Sequence, residues 1–224
     1  MRTLLFDIDG TLLMTNGGGK SALGAALAAE FQLDSPKVEI SFAGRTDRSL
    51  LAQLLAENGL PDNEEMQGRL RRRYTAIFPS VLAERGGYVL PGVPELLRRL
   101  AVHESVRIGV MTGNLPETAT RKLEHFDLLQ YVSWIVGGDL DHDRDDLALR
   151  AAKVLARRHG EKSTDDVVVI GDTPADIKCG HVIGARVVAV CTGFHSRDEL
   201  EAENPAAVLD DFSDVDAACD ILTQ

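Results

Sequence analysis

Short, mostly apolar runs recur along the chain at Thr3–Phe6, Val106–Met111, Ser133–Val136, Val167–Ile170 and Val187–Val190. Their apolar character is near-continuous and does not alternate, the pattern of strands buried on both faces. Helical patterns of crossover length separate the later runs. Asp145–Arg158, with Leu147, Leu149, Val154 and Leu155, is the clearest example. Strands alternating with such helices build a parallel sheet, because a parallel connection must cross over the sheet face. The pattern therefore predicts a doubly wound α/β core. Val208 and Leu209 add one more short strand before a last helix through Cys219.

The stretch from Lys20 to Arg85 differs, with helical periodicity and hardly any strand signal. Leu50, Leu51, Leu54 and Leu55 form one apolar face, and Gly59 with Pro61 ends that helix. Gly17–Gly19 and Gly86–Gly87 bracket the region where a helical lobe leaves and rejoins the sheet. Glycine suits either a hinge or a tight turn there. The expected division is a core of residues 1–16 and 88–224 with an inserted helical unit, residues 17–87.

Composition narrows the partners. Of 224 residues 35 are acidic and 24 basic, a net charge of −11, so the overall field repels nucleic-acid backbones and anionic lipid surfaces. No nucleic acid and no membrane is expected as a partner. Cys179, Cys191 and Cys219 are odd in number and form no C-x-x-C pair, which suggests neither a disulfide framework nor a zinc site. Asp7 and Asp9 fall where a signal peptide needs its apolar region, and no run approaches the ~20 apolar residues of a membrane span. A cytoplasmic location is expected. The histidines show no metal-ligand spacing.

Open α/β sheets bind ligands beyond the carboxyl ends of their strands, and three of those places carry polar groups. Asp7-Ile8-Asp9-Gly10-Thr11 follows the first run, Thr112-Gly113-Asn114 the second, and Gly171-Asp172-Thr173-Pro174-Ala175-Asp176 the fourth. Asp7 and Asp9, spaced by two, share a side if the chain stays extended. Each motif has a plainer explanation. Asp9-Gly10 is a common turn pair, Asn114 suits an N-cap, and Thr173, Pro174 and Asp176 suit N-cap, N1 and N3 of a helix. Their joint occurrence at successive strand ends favours a functional site.

These motifs, with the helical insertion between the first two, make the chain resemble the haloacid dehalogenase superfamily of hydrolases, and within it the phosphoglycolate phosphatase-like branch. The resemblance covers nearly the whole chain. It implies a Rossmann-like core, a helical cap closing over the active site, and, because both aspartates of the D-x-D pair are kept, phosphoryl transfer. A carboxylate attacking a phosphate dianion meets charge repulsion, which a divalent cation relieves; Mg2+ suits an all-oxygen site. The resemblance implies Asp7 as nucleophile, Asp172 and the Asp9 backbone carbonyl as further Mg2+ ligands, and the Asp9 side chain as general acid and base. Thr112, with the Gly113 and Asn114 amides near a helix start, is expected to bind the phosphate. Asp176 has two readings, metal site or helix cap.

The family's third motif is a cation, and its usual Lys-Pro pattern is absent here. Arg144 matches best, just before the helix beginning near Asp145; Lys153 lies ~13 Å further along that helix. The alternative for Arg144 is neutralising the acidic loop of Asp139, Asp141, Asp143, Asp145 and Asp146. Arg45, just before the Leu50 helix, is a candidate contact for a second anionic group on the substrate, with an ion pair to Asp47 or another carboxylate as its alternative. Gly19-Lys20-Ser21 echoes a Walker A ending, but Met14 stands where the first glycine belongs. Arg71, Arg72 and Arg73 are consecutive and expected to be a solvated surface. The expected function is Mg2+-dependent hydrolysis of a small anionic phosphorylated metabolite. A sugar-phosphate type phosphomutase and a non-catalytic metabolite binder are the rival readings, and the oligomeric state is open.

Overall fold

In the computed structural model, which describes residues 1–224, the apolar runs are neighbouring strands of one sheet. The chain begins with β1 (Arg2–Phe6) and β2 (Leu13–Met14), continues through helices α1 (Gly18–Phe31), α2 (Asp47–Glu57) and α3 (Glu64–Arg85), and returns through β3 (Tyr88–Val89). The remainder alternates: α4 (Val93–Ala101), β4 (Val106–Thr112), α5 (Pro116–His125), β5 (Ile135–Gly137), α6 (Arg144–His159), β6 (Val167–Gly171), α7 (Pro174–Val182), β7 (Arg186–Val190), α8 (Arg197–Glu201), β8 (Ala207–Leu209) and α9 (Val215–Thr223). Six strands form a parallel sheet in the order β5-β4-β1-β6-β7-β8. The strand order reverses beside β1, so the crevice beyond the carboxyl ends of β1, β4 and β6 is the natural ligand site.

Alternate residues of each strand enter opposite cores, which is why the runs read as continuously apolar. Leu4, Phe6, Ile108, Val110, Val168 and Ile170 pack with Leu96, Leu97 and Leu100 of α4, Leu123 of α5 and Leu222 of α9. Leu5, Met111, Val167, Val169 and Val187 pack on the other face with Leu147, Ala151 and Leu155 of α6 and Ile177 of α7. Two details depart from the expected pattern. The third strand is Ile135–Gly137, shifted from Ser133–Val136, although Ser133 N and Trp134 O still bond Ile108 O and Val110 N. Leu149 is exposed, because two residues along a helix turn it ~200° away from Leu147.

The three helices α1–α3 pack over a separate apolar cluster in which Leu23, Leu27, Leu51, Leu54, Leu55, Leu70, Tyr74 and Phe78 are buried. Leu115, from the loop after β4, joins that cluster and ties it to the sheet. No helix is long and apolar enough to cross a membrane. The two strands of the chain's passage to and from the helices, β2 and β3, pair antiparallel, with Leu13 opposite Val89 and Met14 opposite Tyr88. Strands this short carry no periodicity, so the sequence pattern does not reveal them.

Gly87, in this neck, has φ +154°, and a Cβ there would stand 2.1 Å from the Met14 carbonyl oxygen. A backbone atom has no rotamer by which to withdraw. Gly87→Ala is therefore expected to destabilise the fold by ~1–3 kcal/mol. Gly17→Ala, at φ +75° but with no atom within 4 Å, carries only the ~1–2 kcal/mol of a left-handed alanine. Urea denaturation of the two variants tests the difference, and Gly87→Ala at least as stable as Gly17→Ala contradicts it.

Candidate active site

Asp7, Thr112 and Asp172 each stand at the carboxyl end of, or directly after, one of three adjacent strands, β1, β4 and β6, and all three are buried. The Asp7 amide continues the sheet ladder by donating to Ile170 O at 2.9 Å, so the strand pairing itself sets this residue's position. Gly10 has φ +82°, and a Cβ there would lie 2.3 Å from Asp172 Oδ2. Glycine thus permits the loop after β1 to fold back against Asp172, which also accepts a 3.2 Å bond from Thr11 Oγ1.

The carboxylates of Asp7, Asp172 and Asp176 can each bring one oxygen within 4.8 Å of the others. Burial, and then the neighbouring Asp7 charge, pushes the Asp172 carboxyl up to about 8. Asp7 Oδ1 is buried with no hydrogen-bond donor. An all-oxygen donor set with an orphaned buried oxygen and mutually repelling carboxylates fits a hard divalent cation. Asp176 has both oxygens engaged. One accepts from Thr173 N at 3.1 Å and Thr173 Oγ1 at 2.7 Å, the other from Arg144. Thr173 caps α7 in return, with Pro174 as its first residue, so the helix-cap reading of these residues is realised.

Arg144 opens α6 and is buried, with Nη2 3.5 Å from Asp7 Oδ1 and paired to Asp176. Its Nε donor has no acceptor. The acidic loop is instead neutralised by Arg150, which bonds Asp141 at 2.7 Å and lies 3.6 Å from Asp139. Lys153 is exposed.

Asn114 is not a helix cap, since α5 begins at Pro116 and Leu115 takes the cap position. Its Nδ2 donates to Asp9 Oδ2 at 2.7 Å and to Thr112 Oγ1 at 2.8 Å, and its own amide faces Thr112 Oγ1 at 3.4 Å. Lys122 completes this group, with Nζ 2.5 Å from Asp9 Oδ2 and 2.7 Å from Asn114 Oδ1. Nothing in the motifs marks this lysine. Its one sequence signal is helical phase: Thr118, Ala119, Lys122 and Leu123 form the buried stripe of α5, and a lysine inside an apolar stripe calls for a partner.

The helices α1–α3 cover this crevice. α2 ends on the core: Asp47 N donates to Gly113 O at 2.6 Å and Arg48 N to Gly138 O at 3.0 Å, while Thr46 Oγ1 donates to His142 O at 3.0 Å. The Asp47 and Arg48 amides are among the N–H groups that a helix start leaves free. The Asp47 carboxylate accepts from Leu115 N at 2.7 Å. A cavity of about 510 Å³ remains between the layers, lined by Asp7, Asp9, Lys122, Arg144 and Asp172 below and Lys20, Arg45 and Tyr74 above. Arg45 is not paired with Asp47; its guanidinium bonds Gln53 Oε1 and the carbonyls of Ser41 and Ser49. Lys20 bonds Glu39 at 2.7 Å. Arg71 is not simply solvated, since it bridges α3 to Glu117 at 2.9 Å and Asp139 at 3.4 Å.

Residues 4–190 match the family described as haloacid dehalogenase-like hydrolase. The chain belongs to that family. It is 33% identical to a phosphoglycolate phosphatase of Rhodospirillum rubrum, over 95% of this chain and 88% of the relative. Similarity to a probable phosphatase IndB of Dickeya dadantii is 28%, over 98% and 94%. These relatives make this haloacid dehalogenase-like protein a phosphatase. Among solved structures, CbbY from Rhodobacter sphaeroides in complex with phosphate shares the fold, with a TM-score of 0.73 at 20% identity over 96% of each chain. A hydrolase from Pseudomonas syringae gives 0.71 at 26% identity over 99% of each chain.

Burial pushes the Asp47 carboxyl up to about 6, against the pull of the Leu115 amide and the Lys122 charge. A carboxyl raised above its ordinary 3.8 is protonated in the folded chain before the unfolded one, so stability falls as pH rises between about 4 and 6. Asp47→Asn keeps an acceptor for Leu115 without the charge. It is expected to be up to ~3 kcal/mol more stable than the native protein above about pH 7 and equal to it near pH 4. Urea denaturation at both pH values checks this, and a variant less stable at neutral pH contradicts it.

Proposed function

We propose that this phosphatase hydrolyses a small anionic phosphomonoester, phosphoglycolate or a close chemical relative, through an aspartyl phosphate on Asp7. The observation that carries the reading is that Asp7 Oδ1 and Arg144 Nε are both buried without a partner, while Nη2 of the same guanidinium stands 3.5 Å from that oxygen. A phosphate between them satisfies the donor while meeting the nucleophile. In the first step an Asp7 carboxylate oxygen forms a bond to phosphorus, the ester P–O bond breaks, and Asp9 gives its proton to the departing alkoxide. In the second, water attacks phosphorus, its proton passes to Asp9, and the Asp7–phosphorus bond breaks. Thr112 and the Gly113 and Asn114 amides bind phosphate oxygens, and Arg144 grips the same group through paired donors.

Asp7, Asp172 and the Asp9 carbonyl would hold Mg2+, with Asp176 paired to Arg144 beside them. When bound, the ion neutralises charge between the carboxylates and the phosphate. Residues 17–87 act as a cap whose closure shields the site from bulk solvent while the reaction proceeds. The phosphoglycolate phosphatase names among the relatives support the substrate class, as do Lys20 and Arg45 on the cap side of the cavity. A cytoplasmic setting is in keeping with three free cysteines and a metabolite substrate.

Phosphate release from a panel of monoesters in Mg2+ tests the reading. Asp7→Asn is expected to abolish turnover and Asp9→Asn to lower it ~10²–10⁴-fold. EDTA is expected to stop the reaction and Mg2+ to restore it, with Arg45→Ala erasing any preference for a substrate bearing a carboxylate over one that does not. Full activity of Asp7→Asn, or of metal-free protein, overturns the mechanism. Phosphate release that requires a bisphosphate activator indicates the mutase instead. The third-motif assignment has its own test. Arg144→Ala is expected to cost at least ~10²-fold in kcat/KM and Lys153→Ala less than ~3-fold; the reverse order moves the role to Lys153.

A further inference from the structure

Lys122 and Arg144 are the two buried cationic side chains of the protein, and only Arg144 has a part in the mechanism above. A lysine keeps its charge in such a place only against strong compensation. Here the compensation comes from two side-chain oxygens, and the network converges on one of them. Nζ bonds Asp9 Oδ2 at 2.5 Å and Asn114 Oδ1 at 2.7 Å, while Asn114 Nδ2 bonds the same Asp9 Oδ2 at 2.7 Å. Asp9 Oδ1 takes no hydrogen bond from the protein, and the Asp9 side chain is 40% exposed toward the cavity it lines. The two oxygens of the carboxylate are thus divided: one is pinned by two donors, and the other is left open.

We infer that Lys122 is a positioning residue for the reaction: by holding Oδ2, it aims Asp9 Oδ1 at the oxygen of the leaving group. The anchor is stiff. Lys122 lies 2% exposed in the last turn of α5, its ammonium stands 5.8 Å from the centre of the Phe78 ring of α3, and the loop before α5 is clamped by Asp47. Without it Asn114 is a single neutral hinge, about which the Asp9 carboxylate can rotate. Proton transfer is sensitive to such displacement, since a misplacement of ~1 Å can cost ~10²-fold. The inference rests on the proposed role of Asp9 as acid and base. The competing role, direct contact of Lys122 with the substrate from its place in the cavity wall, predicts different kinetics.

The test compares Lys122→Met, which keeps the unbranched apolar stem without the ammonium, in the native and Asp9→Asn backgrounds, using an alkyl phosphate and p-nitrophenyl phosphate. Lys122→Gln serves as a second variant if the first fails to fold by circular dichroism. Positioning predicts that kcat for the alkyl phosphate falls ~10- to 10²-fold with KM unchanged. The first-turnover release of p-nitrophenol, a leaving group that needs no proton, moves less than ~3-fold, and adding the Lys122 change to Asp9→Asn costs nothing more. Equal losses on both substrates, a rise in KM, or a full additional loss in the Asp9→Asn background overturns the inference while leaving the Asp9 role in place. If Asp9→Asn alone leaves alkyl phosphate turnover intact, the proposed mechanism itself fails.

Discussion

Negative charge buried at the carboxyl edge of the sheet is the constraint around which the molecule is arranged. Asp7 and Asp172 end or follow neighbouring strands, and Asp176 reaches the same place from the first turn of α7, so three carboxylates share a space of a few ångströms. Without compensation such a cluster is strongly unfavourable; burial first, and then the neighbouring Asp7 charge, push the Asp172 carboxyl up to about 8. Arg144 answers part of this charge from the start of α6, and removing one partner from a buried pair of this kind typically costs ~3–5 kcal/mol. In the proposed mechanism the charge left over is what would draw a cation to the site.

Each part of the surroundings serves that cluster through close backbone approach. Gly10 brings the loop after β1 against Asp172, and a Cβ at Gly113 would stand 1.9 Å from the Arg45 carbonyl. At Gly138 a Cβ would stand 2.4 Å from Gly113 O. Glycine in the Thr112-Gly113-Asn114 motif therefore reads less as a phosphate-loop device than as the seat on which the helical layer rests. The free N–H groups of α2 then find acceptors in Gly113 O and Gly138 O, so the layer that covers the cavity is hydrogen-bonded to the same loops that present Thr112 and Arg144.

The two buried cations divide the labour by geometry. Arg144, a planar fork, faces Asp7, the proposed nucleophile, and its paired donors suit an oxyanion. Lys122, a compact point charge on a flexible stem, faces a single oxygen of Asp9. The two aspartates of the D-x-D pair, close in sequence and alike in chemistry, thereby stand in different electrostatic settings, the general condition under which paired carboxylates take different roles.

The buried strands, the crossover helices between them and the three strand-end motifs were legible in the sequence, because each is a property of a few consecutive residues: apolar runs, a helical period, a polar group where a strand stops; the order of the strands in the sheet was not. Arg144 was legible as a position, through its distance from Gly137 and Gly138. The pairing of Asp9 with Lys122 was not, since 113 residues separate them and their meeting depends on the register of β1 against β4 and the rotation of α5. The same holds for the β2–β3 neck, for Asp47 closing on Leu115, and for Arg45 turning to Gln53 and away from Asp47. Local pattern decides which element a residue joins and which face it presents. Which charges meet across elements is decided only when the sheet, its helices and the covering layer pack together, because a charge interaction depends on distance and burial that no stretch of sequence contains.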